Sequence, residues 1–131
     1  MANINVLVHS VSVNGLQNIR NWFPADPAEI DEFVVLHIGQ KGKKGADEFI
    51  VRITTPKALQ NLADVNDVVA AGSMLIMKIY DLDVLLRWID CTVAKCAGEN
   101  WNTTARNLTS HFAWEYKNYT DGLYPRRHSR A

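Results

Sequence analysis

The stretch FVVLHIGQKGKKGADEFIVRIT, residues 33–54, decides how this chain folds. Its first part, Phe33 to Ile38, is apolar on both faces except for His37, which is typical of a central strand or of one covered by helices. Its last part, Glu48 to Thr54, alternates between apolar and polar residues as a half-buried strand does. The glycine-punctuated segment Gly39 to Gly45 fits neither a helix nor a strand. We therefore expect an antiparallel hairpin with this loop at its tip.

The sequence before this hairpin predicts one strand and one loop. Residues Ile4 to Val13 alternate in the manner of a strand, and Asn14-Gly15 then supplies a turn signal. Residues 20–32 contain two prolines and are expected to form a loop that leads into the next strand.

The sequence after the hairpin is mainly helical. A short helix should begin at Pro56, a strand is expected over Met74 to Tyr80, and Asp81 or Asp83 caps a long helix that ends near Ala97. Its predicted buried stripe is Leu85, Trp88 or Ile89, Thr92 and Cys96. Another helix begins near Asn100, and His111 to Tyr116 fits either a last strand or a continuation of that helix.

Strands come mostly first and helices mostly later, which favours an α+β fold: an antiparallel sheet of about four to five strands packed against C-terminal helices. With 131 residues, 47% of them hydrophobic and 21% charged, the chain has an ordinary globular composition. We expect a single domain over residues 1–124. The tail, residues 125–131 (PRRHSRA), is basic, has little to bury and is expected to fray.

The charge balance and the N-terminus exclude several classes of protein. Fourteen Lys and Arg face fourteen Asp and Glu, and a formal net charge of zero argues against a general polyanion binder. No basic residue precedes the first apolar run, so it does not read as a secretory signal. No apolar run approaches the roughly 20 residues needed to span a bilayer. We expect a cytoplasmic protein in which Cys91 and Cys96 are both thiols.

No pattern for catalysis or metal binding stands out. The His9-Ser10 and Ser110-His111 pairs are adjacent in sequence and so point in different directions. The histidines lack short ligand spacing, and the cysteines lack the Cys-x-x-Cys spacing of zinc sites. Gly39 and Gly45 are six residues apart and no Lys-[Ser/Thr] follows, so the loop is not a phosphate-binding loop. We expect no enzyme activity, no cofactor and no metal ion.

Two charged clusters are candidate contact surfaces. The acidic cluster lies in the predicted loop before the second strand and comprises Asp26, Glu29, Asp31 and Glu32. The lysine hairpin carries Lys41, Lys43 and Lys44 at its tip. Trp22 and Phe23 lie beside the acidic cluster, and aromatic residues commonly anchor interfaces, although this pair also fits a lid over the sheet. Each cluster equally fits a plain solvated surface.

The run IGQKGKKGADEF, residues 38–49, followed by TTPKAL, residues 54–59, resembles the immunity protein 8 family of bacterial polymorphic-toxin and contact-dependent growth inhibition systems. Trp101 and the segment Trp114-Glu115-Tyr116 resemble the closing part of that family, and the likeness extends to about Tyr119. The glycine and lysine stretch is its specific part, and it is not a catalytic motif. The chain departs from the family pattern at Thr55, where a cysteine is common.

The resemblance implies a cytosolic antidote that binds a cognate toxin domain and covers its active site or its substrate-binding face. Because many toxin nucleases are basic, the acidic cluster is the first candidate for the toxin-facing surface, with carboxylates in place of phosphates. The lysine hairpin is the second candidate and suits a toxin with an acidic face. The alternative function is a small nucleic-acid-binding module that uses the Lys41–Lys44 loop and the arginine tail. A monomer and a homodimer both fit the sequence.

Overall fold

The computed structural model describes residues 2–13, 15–16, 18–66, 68 and 72–114, with the side chains of all of these except residues 63–66. The predicted hairpin forms the centre of a five-stranded sheet. Strands β1 (Val6–Val13), β2 (Asp31–Gln40) and β3 (Asp47–Thr54) follow one another as antiparallel neighbours. Strand β2 is therefore central, as the sequence predicts.

Two short strands share the outer edge of β3. Strand β4 (Met74–Ile76) lies parallel to its last three residues, and β5 (Ala113–Trp114) lies antiparallel to Phe49 and Ile50. The helices are α1 (Pro56–Asn66), α2 (Leu82–Cys96) and α3 (Trp101–Leu108). The α+β class is confirmed, with β3–β4 as a parallel pair in a sheet that is otherwise antiparallel.

One face of the hairpin and helices α2 and α3 enclose the core. Val34, Leu36 and Ile38 of β2 and Phe49, Val51 and Ile53 of β3 are each at most 1% exposed. Helix α2 packs a stripe against them that comprises Leu85, Ile89, Thr92, Val93 and Cys96. Each large apolar side chain buried in this way contributes about 1.5–3 kcal/mol relative to an exposed one. The alternation of β3, together with its register on β2, therefore sets which face the helices cover.

All three predicted helix starts are confirmed: α1 begins at Pro56, and a side chain caps each of α2 and α3. Asp81 caps α2, where its Oδ1 accepts a hydrogen bond from the backbone N–H of Val84 at 3.2 Å. Asn100 caps α3 in the same way, with the N–H of Thr103 donating at 2.8 Å. Each side chain satisfies a backbone donor that has no partner within the helix.

Several predicted boundaries were wrong. The strand predicted over 74–80 ends at Ile76, opposite the last residue of β3, and the N–H of Met77 makes its last bond to that strand, with the carbonyl of Thr54 at 2.8 Å. The predicted loop over 20–32 instead begins in a 3-10 turn over Ile19–Asn21 and ends where β2 starts at Asp31. The first strand begins at Val6 because Ile4 donates its N–H to Gly98 outside the sheet.

Several other expectations concern the cysteines and the end of the chain. Cys91, which is exposed, and Cys96, which is buried, are both free thiols, as predicted. Of the segment that fitted a strand or a helix, Ala113–Trp114 forms a strand, and residues 115–116 lie outside the described residues. The basic tail predicted to fray at 125–131 lies outside them as well.

Candidate functional site

The acidic cluster does not form one surface. Two of its residues, Asp26 and Glu29, lie in the loop before β2, and both contact the same lysine. The carboxylates of Asp26 and Glu29 lie 3.2 and 3.5 Å from Nζ of Lys57. Asn61 also donates to Glu29 at 2.7 Å. The backbone N–H of Ala28 donates to Asp26, and this bond together with Lys57 lowers the pKa of the Asp26 carboxyl group. The positive charge of Lys57 therefore offsets part of the negative charge of these two carboxylates.

The strand half of the acidic cluster is split between the two faces of the sheet. Asp31 and Glu32 are successive residues of β2 and point to opposite faces, whereas the sequence placed them in a loop. Nε and Nη2 of Arg52 donate to the two carboxylate oxygens of Asp31, each at 2.6 Å. This bond raises the pKa of Arg52. Partial burial, and then the charge of Asp31, raise the pKa of the Glu32 carboxyl group.

The two aromatic residues beside the acidic cluster, Trp22 and Phe23, differ in their exposure. Trp22 is half-buried, and its ring meets the ring of Tyr80 edge-on with 4.8 Å between centroids. Phe23 is 84% exposed. Trp22 thus fits the lid over the sheet, whereas Phe23 is free to contact a partner.

Among the described residues, nothing compensates the charges of the lysine hairpin in this way. Lys41, Lys43 and Lys44 are all exposed, and within the described part of the chain none of them forms an ion pair or a side-chain hydrogen bond. The backbone of the tip is nevertheless fixed. The N–H of Lys41 donates to Asn5 at 2.8 Å, and that of Lys43 donates to Gln40 at 3.1 Å.

A groove of about 420 Å³ lies between the hairpin and α3, lined by Gly39, Gln40, Lys43, Lys44, Gly45, Ala46, Asp47 and Trp101. Oδ2 of Asp47 accepts hydrogen bonds from the indole N–H of Trp101 at 3.0 Å and of Trp114 at 3.1 Å. Phe49 stacks on Trp114 and meets Trp101 edge-on. The residues that carry the family resemblance, separated by up to 67 positions, therefore meet here. Sequence reasoning noted both tryptophans but had no signal for their shared partner.

The second face of the sheet is a surface that sequence reasoning did not single out. Phe33 is 57% exposed there, and the Arg52 guanidinium lies over its ring at 5.7 Å from the centroid. Nδ1 of His37 and the Ser10 hydroxyl are 3.0 Å apart, so this histidine is a hydrogen-bonded residue on a sheet face. Residues 33–38 of β2 are apolar on both faces apart from His37, so nothing in the sequence indicates that Phe33 is exposed.

The described part of the chain contains neither a candidate metal site nor a candidate membrane span. Across residues 2–114, apart from the gaps in the described ranges, no three His, Cys, Asp or Glu side chains group so that they could hold a metal ion. None of the helices in those same ranges has the length and apolar character needed to cross a membrane.

Comparison with protein families gives a match to immunity protein 8 over residues 6–119. Comparisons with curated proteins and with solved structures give no match. The matched segment contains every strand and helix described above, including the lysine hairpin and the two tryptophans that bind Asp47. Because the match covers most of the chain, it confirms the resemblance seen in the sequence, and this protein belongs to the immunity protein 8 family.

Proposed function

We propose that this protein is an immunity protein that binds a cognate bacterial toxin domain and neutralises it by covering its active site or its substrate-binding face. The observation that carries the proposal is the family match over residues 6–119. We further propose that it acts in the cytoplasm of the cell that makes it, as part of a polymorphic-toxin or contact-dependent growth inhibition system. In this function the chain needs no catalytic step of its own.

The proposed mode of action is steric and electrostatic. A stable protein interface buries about 800 Å² on each partner, which is enough to close the active-site cleft of a small toxin domain. Nuclease–immunity pairs are among the tightest protein complexes, with dissociation constants at or below about 1 pM. A nuclease is accordingly one proposed class of partner. Charge complementarity would speed capture of the toxin before it acts.

The candidate contact residues come from the surfaces described above. The acidic cluster with Trp22 and Phe23 would suit a basic toxin, and the lysine hairpin would suit an acidic one. The ion pairs of Lys57 and Arg52 reduce the charge that the acidic cluster offers to a partner. The proposed function itself requires only that one of these surfaces be complementary to the toxin.

Co-expression with a candidate cognate toxin domain tests the proposal. We expect this protein to restore growth of cells that produce the toxin and to co-purify with it at a ratio of about one to one. The variant Leu36→Asp places a charge in the core, where Leu36 is 0% exposed, and should restore no growth. Persistent toxicity with folded protein present and no complex recovered would contradict the proposal.

A further inference from the structure

We propose that the lysine hairpin and the groove beside it bind the toxin, and that the toxin presents an acidic protein segment to them. This inference rests on the proposed function and adds the chemistry of the partner. It reverses the order that the sequence suggests, in which the acidic cluster is the first candidate.

The balance of charge on the two clusters supports this order. Three of the four acidic side chains share Lys57 or pair with Arg52, at 2.6 to 3.5 Å. The three lysines have no such partner among the described residues. At physiological ionic strength a charge is felt over only about 8 Å, so a carboxylate whose cation lies at contact distance exerts little net attraction. The lysine hairpin therefore exerts a stronger electrostatic attraction on an approaching protein of opposite charge than the acidic cluster does.

The groove gives the lysines a defined place for a partner side chain. Lys43 and Lys44 are among its lining residues, whereas Lys41 is not. Its volume of about 420 Å³ admits one or two side chains of an inserted loop rather than a flat contact. The Asp47 carboxylate inside it already accepts two indole N–H groups. Carboxylates of the partner would therefore meet the lysine ammonium groups rather than Asp47.

The hairpin is also held in one conformation before the partner arrives. Gly42 and Gly45 have φ of +83° and +85°, values that suit glycine, and the carbonyl of Gly45 lies close against Gly39. Backbone hydrogen bonds from Lys41 and Lys43 fix the tip to its surroundings. A surface ordered in advance loses less conformational entropy on binding. More of the favourable free energy of the charge contacts therefore remains as binding affinity.

An acidic protein segment fits this surface better than a nucleic acid does. Binding of single strands relies on aromatic faces on which bases stack. Trp101, the aromatic residue that lines the groove, is half-buried, packs edge-on against Phe49 and has its N–H bound to Asp47. The chain as a whole carries no net positive charge. Three lysines on such a chain suit the carboxylates of a protein.

Titration of the purified toxin domain against variants of the full chain tests this inference. We expect Lys43→Glu with Lys44→Glu to weaken binding by about tenfold or more, with a smaller loss for Lys41→Glu. The matched control is Lys78→Glu with Lys95→Glu, which makes the same change in net charge at two other exposed lysines. It should change affinity by less than about twofold. A second comparison is Asp26→Lys with Glu29→Lys, which should not weaken binding.

A zero-length carbodiimide cross-link gives a second readout that does not depend on mutation. It joins an amine directly to a carboxylate, so Lys43 or Lys44 should become linked to an Asp or Glu of the toxin. Equal affinity of the Lys43/Lys44 variant and the wild type would overturn the inference and leave the proposed function standing. Absence of any complex with the wild type would overturn both. Binding of a single-stranded oligonucleotide by the wild type and not by that variant would assign the hairpin to nucleic acid and overturn the inference as well.

Discussion

Asp47 connects three parts of the chain through a single carboxylate oxygen. It lies at the start of β3 and binds the indole N–H of a residue in α3 and of another in β5. The sequence identifies Trp101 and Trp114 by their resemblance to a family, but local patterns say nothing of a pairing across 54 and 67 positions. Such long-range pairs follow from the tertiary fold alone, so they were found only in the structure.

Substitution of Asp47 should separate a hydrogen-bonding role from a role in packing. We expect Asp47→Ala to lower the free energy of unfolding by about 2 kcal/mol or more, because two indole donors lose a charged acceptor. Asp47→Asn keeps one acceptor oxygen and should lose about half as much. Urea unfolding followed by tryptophan fluorescence measures both. An alanine variant as stable as the wild type would contradict this role for Asp47.

Glu32 should make the stability depend on pH in the opposite sense to an ordinary paired carboxylate. Partial burial raises its pKa, so above the usual glutamate range the folded state binds more protons than the unfolded state. Stability contributed by this group therefore falls as the pH rises through that range. We expect Glu32→Gln to stabilise the protein at pH 7, by no more than about 0.5 kcal/mol, and to have no effect in acid, where the carboxyl group is protonated in both states.

The neighbouring residue provides the control for Glu32. Asp31→Asn removes the charge that pairs with Arg52 and should destabilise the protein at pH 7. Thermal unfolding of both variants across pH 3–8 should thus show opposite signs at neutral pH. A destabilising effect of Glu32→Gln at neutral pH would show that the ionised carboxylate has a favourable partner.

Among the strands and helices, the central hairpin could be predicted from the sequence, whereas the start of β2 and the end of β4 could not. The apolar run of β2, the alternation of β3 and the glycine spacing between them identify the hairpin, because these signals are local. The start of β2 at Asp31 depends instead on cross-strand pairing, with Asp31 opposite Thr54 and its carboxylate bound to Arg52. Strand β4 ends at its last pair with β3, Ile76 opposite Thr54, which local patterns do not reveal. Two of the four acidic residues, Asp31 and Glu32, therefore lie in a strand and not in the loop that the sequence predicts.

Two glycines of the hairpin should respond differently to alanine. A Cβ at Gly39 would lie 2.6 Å from the carbonyl oxygen of Gly45, so the returning strand must shift, at a cost of about 1–3 kcal/mol. A Cβ at Gly42 meets nothing within 4 Å, and the cost there comes from its positive φ. We expect Gly39→Ala alone to reduce toxin affinity, because its clash lies in the groove. Loss of affinity in Gly42→Ala and not in Gly39→Ala would contradict this assignment.

Across the molecule, attraction of a partner depends more on which charges are already paired within the protein than on the net charge of the chain. The sequence counts fourteen charges of each sign and shows where they cluster. It cannot show that Lys57 crosses from α1 to the loop before β2, or that Arg52 reaches Asp31 from the adjacent strand. These pairings change which cluster is the better candidate to meet a partner. The fold class and the family were therefore readable from sequence, whereas the ranking of the candidate surfaces was not.

The central claim is that this protein binds its toxin directly and with high affinity. Isothermal titration calorimetry with the purified toxin domain measures this most directly, in low and in moderate salt. We expect saturation at one toxin per chain, a dissociation constant of about 1 nM or below, and weaker binding as salt screens the charges. A titration without measurable heat at micromolar concentrations of both folded proteins, at two temperatures, would contradict it.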